Sequence, residues 1–396
     1  RTTADGRHHR PMTDVEHRAH DPAPTQPTPE LLVGGSAAYA CMWRLVRQAR
    51  TTVELETYIY EAGAVGDRFL AELTSAARRG VRVRVLVDAY GSDALRRDYF
   101  APLVAAGGEL RWFNPKRLLR RNFRNHRKLL RVDGEAVIGG LNIADTYDGD
   151  GLQAGWRDFA VRVDGPVVDA LAESFARMWD LSVFSRREFR RFWRRSPPLV
   201  AGADPQPELL LSGPGCPTAE LRRRLLFDIR AARRMQVWAA YFLPSRRIGA
   251  AIRDAARRGE ADIMLGERSD VPVSRWASER LFMRFLRAGL RIHCYRPQIV
   301  HAKAMLLDDV VYLGSSNLDV RSLLINYELL LRLPSAALAA RLRAEFEIDR
   351  RHADTLDPVR WRQGRRWWQS LRSYLAYQLL ARLDPYVATR SLRSLR

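Results

Sequence analysis

From Leu31 onward the chain switches between two hydrophobic periods. Leu31–Arg50 repeats apolar positions at helical spacing and predicts a helix. Thr52–Tyr60 moves to period two, with Val53, Leu55, Thr57 and Ile59 on one face, and predicts a strand. Residues 67–79 return to the helical period and stop at Gly80, a residue suited to a helix C-terminus. A strongly β-branched strand over 81–88, a helix over 93–106, a glycine turn and a strand over 109–113 follow. The second half repeats the scheme, with strand 236–242, helix 247–258, strand 261–265, helix 274–288 and strand 290–295.

Strands alternating with helices predict an α/β fold built on a parallel or mixed sheet. Ala76-Ala77-Arg78-Arg79-Gly80 recurs as Ala255-Ala256-Arg257-Arg258-Gly259, which indicates two long duplicated units and not a solenoid of short repeats. The expected division is a polar, Pro-, His- and Thr-rich disordered tail over 1–30, an N-terminal unit over 31–196, a Pro-rich linker over 197–206, a C-terminal unit over 207–350 and a basic amphipathic segment over 351–396. The tail has no apolar core of a signal peptide, and no run of about 20 apolar residues predicts a transmembrane helix. The chain starts at Arg1 without an initiator Met, which leaves room for an upstream segment.

With 46% of 396 residues hydrophobic the chain can bury one large core or two ordinary ones, and two domains are expected. A formal charge of +21 implies an anionic partner, either nucleic acid or an anionic membrane surface. Three scattered cysteines, Cys41, Cys216 and Cys294, suggest neither a disulfide framework nor a zinc site. Of 66 Lys plus Arg only three are Lys: Lys116, Lys128 and Lys303.

Two of those lysines fall in a repeated motif. His126, Lys128, Asp133, Gly139 and Asn142 share their spacing with His301, Lys303, Asp308, Gly314 and Asn317. Keeping Lys in so Arg-rich a chain points to a place where a compact ammonium fits and a guanidinium fork does not. If the His and Lys of each copy lie in a strand, they project to one face. The Asp falls at a turn, where it braces the backbone, and a short apolar strand returns to the Asn. Two copies facing each other would offer two imidazoles, two ammonium groups and two carboxamides. That set suits a phosphodiester: cations and amides hold the nonbridging oxygens, one neutral His attacks phosphorus and the other protonates the leaving alkoxide. This chemistry calls for no metal or other cofactor, and no carboxylate cluster for a metal is visible.

The residues resemble the phospholipase D superfamily, whose two HKD motifs form one site at a pseudo-twofold interface. The resemblance implies two such domains, each a mixed sheet flanked by helices. It also implies a phosphohistidine on His126, with His301 as general acid and then base; the reverse assignment stays open. Asn142 and Asn317 would bind the phosphate. Asp158 in Trp156-Arg157-Asp158 and Glu328 in Asn326-Tyr327-Glu328 match the family's His-orienting carboxylates.

Within the superfamily, Phe113-Asn114-Pro115, Arg124-Asn125-His126-Arg127-Lys128-Leu129-Leu130, Val161–Pro166 and Gly314-Ser315-Ser316-Asn317-Leu318-Asp319 resemble bacterial cardiolipin synthases of the short type without transmembrane helices. The resemblance implies phosphatidyl transfer between two phosphatidylglycerol molecules, with glycerol released, by a protein peripheral to the bacterial inner membrane on its cytoplasmic side. Phosphatidylethanolamine as donor, hydrolysis, and a nuclease of the same superfamily stay open as alternatives, and no nucleic acid partner is expected. Oligomeric state is not legible. Arg186–Arg195, and Trp361–Tyr386 with Trp367, Trp368, Leu371, Leu375 and Leu379 at helical spacing, suit an anionic lipid surface. The same C-terminal stripe would also suit packing on the domain.

Overall fold

The computed structural model describes residues 29–114, 123–182, 206–214, 216 and 218–383. The expected tail, almost all of the linker, Arg186–Arg195 and Tyr386 lie outside these residues.

The first sheet contains β1 (Glu30–Val33), β2 (Thr52–Thr57), β3 (Arg82–Asp88), β4 (Glu109–Phe113), β5 (Leu129–Val132), β6 (Glu135–Gly139) and β7 (Phe159–Asp164), in the order β1-β7-β6-β5-β2-β3-β4. In the second half are β8 (Glu208–Ser212), β9 (Arg234–Ala239), β10 (Phe242–Leu243), β11 (Glu260–Gly266), β12 (Arg291–Tyr295), β13 (Lys303–Leu307), β14 (Val310–Gly314), β15 (Leu318–Asp319), β16 (Glu328–Pro334) and β17 (Ala353–Thr355). Their main sheet runs β17-β12-β11-β9-β13-β14-β16-β8, and β10 pairs with β15 outside it. Apart from β17, the two main sheets have the same order and the same mixture. The three strands joined through helical crossovers are parallel, and the hairpin strands that carry the motifs are antiparallel. The duplication is therefore structural.

The two halves share a core. Leu129, Ile138, Phe159 and Val161 of the first sheet belong to one buried cluster with Trp238, Ala304, Leu313 and Leu331 of the second. Helices Pro166–Leu181 and Ala336–Arg351 add Phe175 and Phe346 to the same cluster. A fully buried side chain of this size contributes ~1.5–3 kcal/mol, so apolar packing alone already joins the halves. Arg157 adds a charged brace: it reaches Glu345 Oε2 at 2.7 Å and Asp349 Oδ1 at 3.0 Å on the other half, and Trp238 Nε1 donates to Asp349 Oδ2 at 2.8 Å. The outer faces have separate cores, under helices Gly34–Gln48 and Ala64–Arg78 on one side and Thr218–Ala231, Arg246–Arg258 and Pro272–Leu286 on the other.

Three expectations need correction. Residues 31–33 are not helical; they form β1, because Leu31 and Leu32 gain more by pairing with Val161 and Ala160 of β7. The helix starts only at Gly34, whose φ of +76° and close approach to the Gly149 carbonyl a Cβ would not allow. No helix spans 93–106: turns lead to a short helix, Ala101–Ala105, because Pro102 has no N–H to give and fits only the first turn. The C-terminal stripe does not pack inward. Small Ser373 and Ala376 of helix Trp367–Gln378 are buried against the domain, while Trp367, Leu371 and Leu375 stay 78%, 49% and 58% exposed. No described helix is long and apolar enough to cross a membrane.

Candidate active site

Each motif histidine sits just before its strand, not within it as the sequence suggests; β5 begins at Leu129 and β13 at Lys303. There the backbone leaves its own sheet and pairs with the other half. His126 N–H donates to the Tyr327 carbonyl at 3.0 Å, and Tyr327 N–H donates to the Arg124 carbonyl at 3.0 Å. In the second copy, His301 N–H donates to the Arg157 carbonyl at 2.9 Å, and Arg157 N–H to the Ile299 carbonyl at 2.8 Å. These two bridges fix the histidines relative to each other through backbone alone.

The same bridges cross the carboxylates over. Tyr327 carries Glu328 to His126, whose Nδ1 lies 3.0 Å from Glu328 Oε2; Arg157 carries Asp158 to His301, whose Nδ1 lies 2.7 Å from Asp158 Oδ2. Each imidazole is thus oriented by the opposite half, and both carboxylates are fully buried. A short side chain behind each acid makes the room. Asp158 packs against Gly140, where a Cβ would collide with the carboxylate, and the corresponding Ser315 donates to Glu328 Oε2 at 2.6 Å.

Asn125, beside His126, is anchored by Glu56 Oε1 at 2.7 Å and by Asp88 Oδ2 at 2.8 Å, both fully buried. Lys128 Nζ donates to the His126 carbonyl at 2.8 Å, and Lys303 Nζ lies 3.1 Å from His301 Nε2. The histidines and both asparagines line one cavity of about 430 Å³. Asn142 is partly committed, because its Oδ1 accepts from Ile59 N–H at 3.2 Å and its Nδ2 donates to Tyr147 Oη at 2.6 Å, which leaves one amide proton without an acceptor among the described residues. The Asn317 Oδ1 has no hydrogen-bond partner among the described residues.

Asp133 and Asp308, grouped with the catalytic residues by their spacing, are at the far ends of β5 and β13. With φ of 49° and 52° they form the hairpin turns. Asp133 accepts from the N–H groups of Arg50, Thr51 and Thr52, and Asp308 from those of Arg233 and Arg234. Bracing of the turn, also expected from sequence, is their role, and neither lines the cavity.

A family profile described as "Cardiolipin synthase, PLD-like domain" matches residues 42–179 and 226–350. Cardiolipin synthase 1 of Bacillus cereus is 31% identical over 347 residues, which cover 84% of this chain and 68% of that protein. Cardiolipin synthase A of Pseudomonas fluorescens is 35% identical over 329 residues, or 78% of this chain and 65% of that one. In fold, the chain is similar to the phosphatidylserine synthase of Haemophilus influenzae, with a TM-score of 0.71, 16% identity and coverage of 92% of this chain and 97% of that one. The chain belongs to the cardiolipin synthase family of phospholipase D-like proteins. As a member it is a phosphatidyltransferase.

The family's two motifs leave several cavity residues unnamed. The Tyr58 ring is 4.9 Å from His126 and its Oη accepts from Arg124 at 3.2 Å. Tyr147 and Trp156 flank His301 at 5.1 and 5.4 Å, and Tyr241, Asp270 and Asp319 line the same cavity. The one signal that could have flagged Tyr58 is its position just past β2; the rest are brought in by tertiary packing.

Burial governs the charges. It holds His126 well below the usual histidine range, and the Lys128 ammonium lowers it further; burial and then Lys303 act the same way on His301. Both rings are therefore neutral in the empty site at neutral pH. Burial also pushes Lys128 down to about 7, lowers Lys303, and lifts Glu328 to about 8 against the pull of Lys128. A bound phosphodiester brings a negative charge that favours the protonated forms of both lysines and of one histidine.

Proposed function

We propose that this chain makes cardiolipin and glycerol from two phosphatidylglycerol molecules in two displacements at the His126–His301 cavity. The observation that carries this reading is the pair of crosswise-oriented histidines opening on one cavity from opposite halves. In the first step His126 Nε2 attacks phosphorus, the bond to the glycerol oxygen breaks, and His301 gives its proton to that oxygen. Nε2 is the attacking atom because Glu328 holds Nδ1. Lys128, Lys303, Asn142 and Asn317 hold the nonbridging oxygens. In the second step the now neutral His301 takes the proton of the terminal hydroxyl of a second phosphatidylglycerol, whose oxygen displaces His126 from phosphorus.

Burial of His126 supports its role as nucleophile, since a histidine kept neutral keeps its lone pair. His301, close to Asp158, is the better place for a proton once phosphate is bound.

A cavity of about 430 Å³ is at the small end for a ligand site, with room for a phosphodiester and its glyceryl arms but not for acyl chains. The chains would stay in a bilayer at the mouth. Leu380 and Ala381 line the cavity, and the C-terminal segment leading to them exposes Trp367, Leu371 and Leu375 together with Arg362, Arg366 and Arg382. This is the pattern of a segment lying in an anionic lipid surface. We place the protein peripherally on the cytoplasmic face of the bacterial inner membrane.

The test is incubation with phosphatidylglycerol vesicles, following glycerol and the four-chain lipid. Equal release of both is expected. Phosphatidic acid without the four-chain lipid would replace transfer by hydrolysis, and cleavage of DNA with no lipid turnover would overturn the assignment.

A further inference from the structure

The twofold that relates the catalytic halves is broken in the cavity wall, and the break gives the cavity a direction. Tyr60 bridges Ile143 in the first half as Phe242 pairs with Leu318 in the second. Neighbouring positions correspond accordingly: Ile59 to Tyr241, and Ala144 to Asp319. All four line the cavity. The ladder register carries this to the histidines. The ladders end at Glu56–Leu129 and Ala239–Lys303; Ile59 follows the strand paired with β5, and Tyr241 follows β9, the strand paired with β13 that begins two residues past His301. The two halves thus differ at these corresponding positions, aliphatic at Ile59 and Ala144 in the first and hydroxyl- and carboxylate-bearing at Tyr241 and Asp319 in the second, while Tyr58 and Arg124 stand beside His126.

Asp270 completes the second wall. Its Oδ2 accepts from Tyr241 Oη at 2.6 Å and its Oδ1 from Ser269 Oγ at 3.5 Å; it lines the same cavity and is exposed, so each oxygen keeps a lone pair for a ligand. Its charge is near enough to favour the protonated forms of His301 and Lys303. Asp319 differs: its Oδ1 accepts from Ser322 N–H at 2.7 Å and caps the helix Val320–Leu324.

We propose that Tyr241 and Asp270 form the headgroup subsite, which holds the hydroxyls of the leaving glycerol and then those of the accepting one. This subsite presupposes the transfer reaction proposed above. In-line displacement puts the leaving oxygen opposite the nucleophile, beside the general acid. The acceptor oxygen enters along the same line in the second step. One subsite therefore serves both glyceryl groups, and it must lie on the His301 side. A glyceryl group brings hydroxyl donors, which suit acceptors: the carboxylate of Asp270 and the Tyr241 oxygen, whose own proton is already given to Asp270. The aliphatic wall at Ile59 and Ala144 is left for the diacylglycerol side of the phosphate. Tyr241 and Asp270 act as specificity-determining residues, and the break also favours His126 over His301 as nucleophile.

The test compares two leaving groups in mixed vesicles: glycerol from phosphatidylglycerol and p-nitrophenol from phosphatidyl-p-nitrophenol, which has no headgroup hydroxyls. Tyr241→Phe and Asp270→Asn are expected to lower the ratio of glyceryl to aryl turnover about tenfold, as loss of a hydrogen bond to a recognised hydroxyl does. They also raise the concentration of free glycerol needed to intercept the phosphoenzyme. Equal loss on both substrates would mean that the pair only supports the fold, and an unchanged ratio would mean that it does not meet the headgroup. Either result overturns the subsite and leaves the transfer reading standing, provided the unmodified protein forms the four-chain lipid. If Asp270→Asn instead abolishes use of phosphatidylethanolamine and spares phosphatidylglycerol, the ligand of the pair is an ammonium, and the glyceryl assignment is wrong.

Discussion

Crosswise pairing of histidines and carboxylates requires Glu328→Gln and Asp158→Asn to fail at different bonds. As His126 bonds to phosphorus its ring becomes cationic, and Glu328 at 3.0 Å, which burial lifts to about 8 in the empty site, is ionised by that developing charge and is the acceptor facing it. Glutamine keeps the shape and a hydrogen bond but loses the charge. A hydrogen bond to a charged group is worth ~1.5–3 kcal/mol and a neutral one ~0.5–1.5 kcal/mol. The difference, about 1–1.5 kcal/mol, corresponds to a 5- to 12-fold slowing of phosphohistidine formation, by about the same factor for any leaving group. Asp158 faces His301, so its carboxamide weakens the general acid. That matters for glycerol, which needs a proton to leave, and little for p-nitrophenol, which does not. Single-turnover release from vesicles of phosphatidylglycerol and of phosphatidyl-p-nitrophenol reads both numbers. Glu328→Gln should slow both substrates by about 5- to 12-fold, whereas Asp158→Asn should slow glycerol release by a similar factor and aryl release less than about twofold. Rescue of Glu328→Gln by the aryl ester, with no rescue of Asp158→Asn, would refute the assignment of nucleophile and acid. Identical losses on both substrates for both variants would refute separate roles altogether.

Other expectations follow from the same geometry. In the free enzyme the general acid His301 and Lys128 must both carry protons; burial keeps His301 below the ordinary histidine range and Lys128 loses its charge near about 7, so kcat/KM should already fall as pH rises from below the ordinary histidine range and fall more steeply through about 7. Lys128→Arg, if it folds and turns over, should keep the first fall and lose the steepening near about 7; a steepening that remains would assign it elsewhere. Asp133→Ala removes the acceptor of three backbone N–H groups and puts a β-carbon without polar compensation at a φ of 49°, so thermal or urea unfolding should show ~2–3 kcal/mol of lost stability, with kcat of the folded fraction preserved. Replacing Trp367, Leu371 and Leu375 together by Ser should lower co-sedimentation with anionic vesicles on the order of a thousandfold, at ~1.5 kcal/mol per side chain, and should leave the melting temperature unchanged because these side chains are exposed. Unaltered vesicle binding would move the membrane contact to another surface.

Much of the fold was legible because its cause is local. Alternation at Val53, Leu55 and Thr57, the β-branched run of β3 and the helical periods of Ala64–Arg78 and Arg246–Arg258 declare their elements through one buried face each. The failures have tertiary causes. Residues 31–33 read as helix until β7 is available as a partner, and residues 93–106 kept an apolar period although Pro102 restricts the helix to its last turn. In the site, the repeated His, Lys, Asp and Asn are readable from spacing, because a hairpin imposes a fixed number of residues between strand start, turn and return. Even the turn role of Asp133 and Asp308 could be inferred from their neighbours.

No spacing rule could tell that Asp158 serves His301 and Glu328 serves His126. That pairing depends on Arg157 bridging Val300 and on Asn125 bridging Tyr327, contacts between segments more than 140 residues apart. The same holds for Tyr58, Tyr147, Trp156, Tyr241 and Asp270, which carry no motif and acquire meaning only where two sheets converge. The amino-acid sequence by itself determined the two units, their strands and the identity of the reacting groups, since these depend on neighbours along the chain. Only the tertiary structure decided which half orients which histidine and which wall faces each, because both depend on packing one unit against the other across the shared core.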